Sequence, residues 1–207
     1  MAISRWQQKV EANPEHSHWY VERFRRMAAD GADLAGEART VDAMVPRGAR
    51  ILDAGCGPGR VGGELAARGH HVVGVDVDPV LIEAAQADHP GPTWLVGDLA
   101  ELDLPARGID EPFDLIVCAG NVMTFLAAGT EVEVLRRFAA HLRPDGRAVV
   151  GFGAGRGYAF GDFFADVERA GLRLDQVFST WDLRSFDRES EFVVAVLSRA
   201  TGGRGGR

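Results

Sequence analysis

The stretch Asp53-Ala54-Gly55-Cys56-Gly57-Pro58-Gly59 follows the apolar run Arg50-Ile51-Leu52 and leads into a helical pattern from about Gly59 to Arg68 that stops at Gly69. Strand, glycine-rich turn and helix in that order put bare backbone N–H groups at a helix N-terminus. A phosphate, carboxylate or nucleoside can approach there because no Cβ stands in the way. The glycines alone admit two ligands. Gly57-Pro58-Gly59-Arg60-Val61-Gly62 also satisfies G-x-G-x-x-G, and Asp76 lies about 20 residues downstream, as the dinucleotide fingerprint asks.

On either side of this turn, short β-branched runs alternate with helical patterns. His71 to Val75, Trp94 to Val96, Phe113 to Cys118 and Arg147 to Phe152 read as further strands. Alternation of this kind means parallel strands with crossover helices, and continuous apolar runs such as Leu115 to Cys118 fit central strands covered on both faces. Asp78-Pro79 opens a second helix, and Thr130 with Glu133 reads as the capping box of a third, which ends before the turn Leu142-Arg143-Pro144-Asp145-Gly146. After the fifth strand come a helix from about Asp162 to Ala170 and two apolar stretches, Leu172 to Trp181 and Glu191 to Ser198. Their short polar connection demands an antiparallel hairpin. Residues 14 to 45 read as two helices with a stripe of Trp19, Tyr20, Phe24 and Met27.

The chain has 207 residues, 46% hydrophobic and 26% charged, which fits one core and one main site. A net charge of -7 argues against a nucleic-acid partner, whose binding needs clustered Lys and Arg. The N-terminus has no apolar h-region, and no run approaches the roughly 18 residues of a membrane helix. Cys56 and Cys118 fall in a turn and a buried strand, as free thiols of a reducing compartment do. A cytoplasmic protein, monomer or homodimer, is expected. Its glycine- and arginine-rich tail, residues 200–207, is expected to be disordered.

Three features outside the glycines separate the two ligand readings. Asp53, at the end of the first strand, suits a ligand bearing an ammonium and a sulfonium and is poorly placed beside a pyrophosphate. Asp98, in Gly97-Asp98-Leu99 after the third strand, can accept from an adenine amino group while Leu99 offers its N–H. The C-terminal hairpin is foreign to two mirrored mononucleotide-binding halves. With these, the chain resembles the class I S-adenosylmethionine-dependent methyltransferases. Asp53 to Gly59 is similar to their first motif, Val75-Asp76-Val77-Asp78 to the acidic end of their second strand, and Gly97-Asp98-Leu99 to their adenine contact. Phe113 to Val117 resembles their fourth strand, and residues 142–146 the turn into their fifth.

The resemblance spans roughly residues 45 to 199. It implies a Rossmann-like α/β fold with a seven-stranded, mostly parallel sheet in the order 3-2-1-4-5-7-6, its last strand antiparallel. It also implies a helical lid over residues 1–45 and a cofactor domain over 46–199. S-adenosylmethionine would lie against Asp53, Gly55, Cys56, Gly57, Asp76, Val77, Asp98, Leu99, Ala119 and Gly120, and leave as S-adenosylhomocysteine. Asp53 would hold its amino group and Asp76 its ribose hydroxyls. Asp114, opening a buried strand, reads as structural.

Methyl transfer is an in-line displacement at an activated carbon, so alignment and exclusion of water suffice. The segment from Ala119 to Phe125 lacks the Pro-Pro-aromatic step of DNA amino-methylating enzymes and the acidic ligands of metal-dependent catechol-type enzymes, so a small-molecule acceptor and no metal are expected. Tyr20, Asn121 and Tyr158 are the candidate catalytic residues. His18, Arg23, Asn121, Arg156 and Tyr158 are candidates for the acceptor. The alternatives are a nicotinamide-dependent oxidoreductase, disfavoured by a single lysine, Lys9, with no Tyr-x-x-x-Lys pair, and a cofactor-binding protein without catalysis.

Overall fold

The computed structural model describes residues 3–200. The expectation of a disordered tail therefore falls, for residues 201–207, outside the described residues. Ala200 itself is tied down, its N–H donating to Gly171 O at 3.0 Å.

Three helices come first: α1 (Arg5–Ala12), α2 (His16–Ala29) and α3 (Gly36–Ala43). The core then alternates β1 (Arg50–Ala54), α4 (Arg60–Ala67), β2 (His71–Asp76), α5 (Pro79–Asp88), β3 (Thr93–Val96) and β4 (Phe113–Cys118). It continues with a single turn α6 (Val122–Phe125), α7 (Glu131–His141), β5 (Leu142–Gly153), α8 (Phe160–Arg169), β6 (Leu172–Phe178) and β7 (Phe192–Arg199). The seven strands form one sheet in the order β3-β2-β1-β4-β5-β7-β6. β7 runs antiparallel between β5 and β6, with Val150 opposite Ala195 and Val177 opposite Ala195 on its other side.

Period-two alternation assigns each strand residue to one of two layers. Leu52, Ile116, Ala148, Val150 and Ala195 face α7 and α8, while Ile51, Leu115, Val117, Val149 and Val194 face the layer of α3 and α4. Both layers are sealed, which is why the central strands read as unbroken apolar runs.

Two helix starts, those of α1 and α5, carry a side-chain cap. Asp78 caps α5 by accepting from Val80 N–H at 2.9 Å, with Pro79 in the first turn. At α7 the expected capping box does not form. Thr130 sits in the helical region itself, and its hydroxyl turns back to donate to Ala127 O at 2.7 Å. Residues 142–146, expected as a turn, extend β5 instead, with a register shift between Phe113 and Leu115 that accommodates the extra chain.

α2 and α3 are the two helices expected over residues 14–45, and α1 precedes them as a helix that was not expected. On α2 the fully buried residues are Ser17 and Val21, because these face α5; Trp19, assigned to the stripe, is 49% exposed. Among the described residues, no helix is long and apolar enough to cross a membrane.

Candidate functional site

The carboxyl ends of β1, β2, β3 and β4 open into one cavity. All ten residues expected to face the cofactor line it: Asp53, Gly55, Cys56, Gly57, Asp76, Val77, Asp98, Leu99, Ala119 and Gly120. Tyr20, Trp6 and Phe24 of the N-terminal helices and Phe125 of α6 complete its wall.

The glycine turn is held from both sides by the carboxylates beside it. Gly59 enters α4 in the left-handed region at φ 83°, and the helix has no side-chain cap of its own. Asp53 substitutes for one: its Oδ2 accepts from Gly62 N–H at 2.8 Å, satisfying a first-turn donor of α4. A Cβ on Gly62 would lie 2.9 Å from that oxygen and 2.8 Å from Trp94, so only glycine permits the contact. Asp76 accepts from Gly57 N–H at 2.9 Å through Oδ2 and from Asp78 N–H at 3.0 Å through Oδ1. Asp98 accepts from Ala100 N–H at 2.9 Å, closing the turn that carries Leu99.

These bonds, with those inside the backbone, occupy the N–H groups of the glycine turn itself. Gly55 and Cys56 N–H donate to Val75 O, Gly59 N–H to Cys56 O, and Gly63 N–H to Gly59 O. An N–H already paired inside the protein is not an anion site. Each carboxylate oxygen, in contrast, keeps a second lone pair. The cavity is therefore rich in acceptors. Burial pushes the Asp53 carboxyl up to about 7, with the Gly62 N–H partly offsetting it, and the Asp76 carboxyl up to about 6, offset by Asp78 and Gly57 N–H. A cationic ligand would relieve both.

Arg60, which the sequence reading did not single out, is the cation in the wall. It is already neutralised. Its guanidinium pairs with both oxygens of Glu37 on α3, at 2.8 and 2.5 Å, and bonds Leu34 O at 2.6 Å. Burial pushes the Glu37 carboxyl up, but Arg60 more than offsets this and holds it below the ordinary value.

Trp6 was also missed. Its indole N–H donates to Asp78 Oδ2 at 2.7 Å, and Ser17 Oγ donates to the same oxygen, so one buried carboxylate pins both α1 and α2 to the mouth of the sheet. Trp6 meets Tyr20 and Phe125 edge to face, with centroids 5.2 and 5.7 Å apart. The signal was present in Ser4-x-x-Gln7, whose two side chains form the reciprocal capping box of α1.

Several acceptor and catalytic candidates stand elsewhere. Tyr158 is a correction: it lies buried, stacked on Phe152, and its hydroxyl donates to Asp166 Oδ2 at 2.8 Å. Burial and that carboxylate push its pKa up, and it does not line the cavity. His18 and Arg23 are exposed on α2 and do not themselves line the cavity; Arg23 lies over the rings of Trp19 and Phe24, the second of which does. Asn121 adopts φ 68° between two cavity residues and accepts from Gly153 N–H at 2.8 Å. Arg156 is exposed on the loop after β5.

Cys56 and Cys118 are free and buried, and burial pushes both thiols up. Asp114 binds Arg50 N–H at 2.7 Å and pairs with Arg143, at the opposite end of the sheet from the cavity. Among the described residues, no group of three His, Cys, Asp or Glu side chains is placed to hold a metal ion.

A methyltransferase-domain family matches residues 51–146. A TehB-like S-adenosylmethionine-dependent methyltransferase from Corynebacterium glutamicum is 53% identical, with a TM-score of 0.85 over 90% of this chain and 100% of its own. A dTDP-3-amino-3,6-dideoxy-alpha-D-glucopyranose N,N-dimethyltransferase from Streptomyces fradiae is 31% identical over 58% of this chain and 47% of its own length. A magnesium-protoporphyrin O-methyltransferase from Rhodobacter capsulatus is 39% identical over 39% of this chain and 35% of its own. The chain thus spans less than half of these two curated relatives. The glycine turn clasped by Asp53 and Asp76, the sheet order and the full-length likeness to the corynebacterial protein agree: the chain belongs to the class I S-adenosylmethionine-dependent methyltransferases.

Proposed function

We propose that this protein transfers a methyl group from S-adenosylmethionine to a small-molecule acceptor. The observation that carries the reading is the pairing of the glycine turn: its N–H groups are taken by Asp53, Asp76 and backbone carbonyls, while three carboxylates line the cavity. Such a wall suits a ligand with ammonium and sulfonium charges and repels a pyrophosphate. That argues against the nicotinamide alternative. Asp53 would hold the amino group, Asp76 the ribose hydroxyls, and Asp98 with Leu99 the adenine. When bound, the cofactor supplies a methyl carbon already activated by its sulfonium.

The protein's own part is alignment and dryness. Trp6, Tyr20, Phe24 and Phe125 roof the cavity, in the manner of a lid that keeps water from the reacting centre. Among the described residues no histidine lines it, burial pushes the Tyr20 hydroxyl up, and the two carboxyls that titrate near neutral pH, Asp53 and Asp76, are taken by the cofactor in this reading, which leaves the acceptor no base. The acceptor therefore arrives with its reacting lone pair free. No role falls to a metal, since the leaving group is already activated. The reduced, buried cysteines support a cytoplasmic setting, and the acidic charge supports a partner other than nucleic acid. Monomer or homodimer both suit the reading.

The test is transfer of labelled methyl from S-adenosylmethionine onto a bacterial metabolite extract. Label in the small-molecule pool is expected. Binding of S-adenosylhomocysteine with no label transferred would reduce the protein to a cofactor-binding one.

A further inference from the structure

We propose that the acceptor carries a carboxylate, gripped at the carboxyl end of β5 by Arg156 together with the side-chain amide of Asn121; this rests on the methyltransferase reading and names the class of molecule the site receives. Gly153 ends β5, and a Cβ there would sit 3.1 Å from Arg156 Nε and 3.5 Å from Asn121 Oδ1. The missing side chain lets the guanidinium fold back over the strand end. Asn121 is fixed from the other side, because its Oδ1 accepts from Gly153 N–H. With that oxygen engaged, the free end of the amide is a donor. Gly120 and Val122, its chain neighbours, both line the cofactor cavity, so the donor pair stands at the cavity's β5 rim.

A second guanidinium reaches the same loop. Arg5 of α1 bonds the carbonyls of Thr124 at 3.2 Å, Gly157 at 3.4 Å and Arg156 at 3.5 Å. Neither Arg5 nor Arg156 has an Asp or Glu partner among the described residues, a state they share with six other arginines, whereas Arg39, Arg60, Arg68 and Arg143 are all paired. What sets Arg5 and Arg156 apart is their place, since both reach the loop that follows β5. The β1 to β3 half of the cavity is lined by Asp53, Asp76 and Asp98 and attracts cations; the rim past β5 offers guanidinium and amide donors and attracts anions. A planar guanidinium fork meets both oxygens of a carboxylate with two parallel N–H donors. Arg156 grips that carboxylate whichever atom of the acceptor receives the methyl group.

The experiment separates a bacterial metabolite extract by ion exchange into anionic, neutral and cationic fractions and offers each to the protein with labelled S-adenosylmethionine. Label is expected in the anionic fraction. Arg156→Ala should lower it at least about tenfold, the worth of a lost charge-assisted pair, and Arg156→Glu further. Both variants should keep the wild-type melting temperature and bind S-adenosylhomocysteine within about twofold of wild type, because Arg156 is exposed and outside the cofactor cavity. Label confined to neutral or cationic fractions, no label at all, or anionic labelling indifferent to Arg156 overturns the inference. Failure of the wild-type protein to bind S-adenosylhomocysteine would instead contradict the reading beneath it.

Discussion

At the ends of β1 and β2, Asp53 and Asp76 accept backbone N–H bonds and still face the cavity; past β4 and β5, Asn121 Oδ1 and the Tyr158 hydroxyl are turned onto Gly153 and Asp166. Both pairs are polar residues near strand ends, where this fold places its ligands. What separates Tyr158 from the other three is capacity. A carboxylate oxygen that has accepted one bond keeps a lone pair for a ligand, whereas a phenol that has donated its one proton into a buried carboxylate has no proton left to give. A polar residue at a strand end becomes a binding group only through what its own fold leaves over.

Asp78 sharpens the contrast, since it neighbours Asp76 yet is buried and fully engaged by Val80 N–H, Trp6 and Ser17. Asp78→Ala should cost about 3 kcal/mol of stability, because it leaves the indole N–H and the hydroxyl unpaired in the interior. A denaturant midpoint lowered at unchanged slope would show this. An unaffected midpoint would mean that α1 and α2 are not held there.

Asp76→Ala should act mainly on the ligand, weakening S-adenosylhomocysteine binding by about 1–3 kcal/mol through lost charge-assisted hydrogen bonds. Calorimetry giving wild-type affinity would place the ribose elsewhere and erase the difference between Asp76 and Asp78. Tyr158→Phe tests the other half of the sheet. It should cost about 1 kcal/mol of stability and leave both cofactor affinity and methyl-transfer rate within about twofold of wild type. A large fall in rate at unchanged stability would restore Tyr158 as a reacting group.

The smallest effect is a pH dependence. Asp53 and Asp76 have folded pKa values of about 7 and about 6, above the ordinary 3.8, through burial. The folded protein without cofactor thus retains protons that the unfolded chain releases. These groups lower stability as pH rises from about 4 to 7, with the full penalty present above 7. A cation favours their ionised forms, so S-adenosylmethionine affinity should rise between pH 6 and 8 with protons released on binding. Calorimetry in buffers of different ionisation enthalpy measures that release; none, at pH 6.5, would mean both carboxyls are already ionised.

The cofactor half was legible in the sequence because its chemistry is local: a glycine turn, a strand-end acid and a helix start lie within a few residues of one another, and their geometry follows from chain direction. Asp53, Asp76 and Asp98 needed only strand order to converge. The other half depends on contacts far apart in sequence. Trp6 reaches Asp78, Glu37 reaches Arg60, and Tyr158 turns to Asp166 because α8 packs over β5. Nothing in the polar octet from Arg5 to Ala12 announces a buried indole except its capping box. Thr130 shows the converse: a matching motif stays unformed when the backbone takes another conformation.

The central claim is that the clasped glycine turn receives S-adenosylmethionine and not a dinucleotide, and thermal unfolding with and without ligand tests it most directly. S-adenosylhomocysteine at about 100 times its dissociation constant should stabilise the protein by about 2.7 kcal/mol, raising the melting temperature by roughly 5–10 °C, while NAD and NADP leave it unchanged. Stabilisation by NAD or NADP with none from S-adenosylhomocysteine would contradict the account.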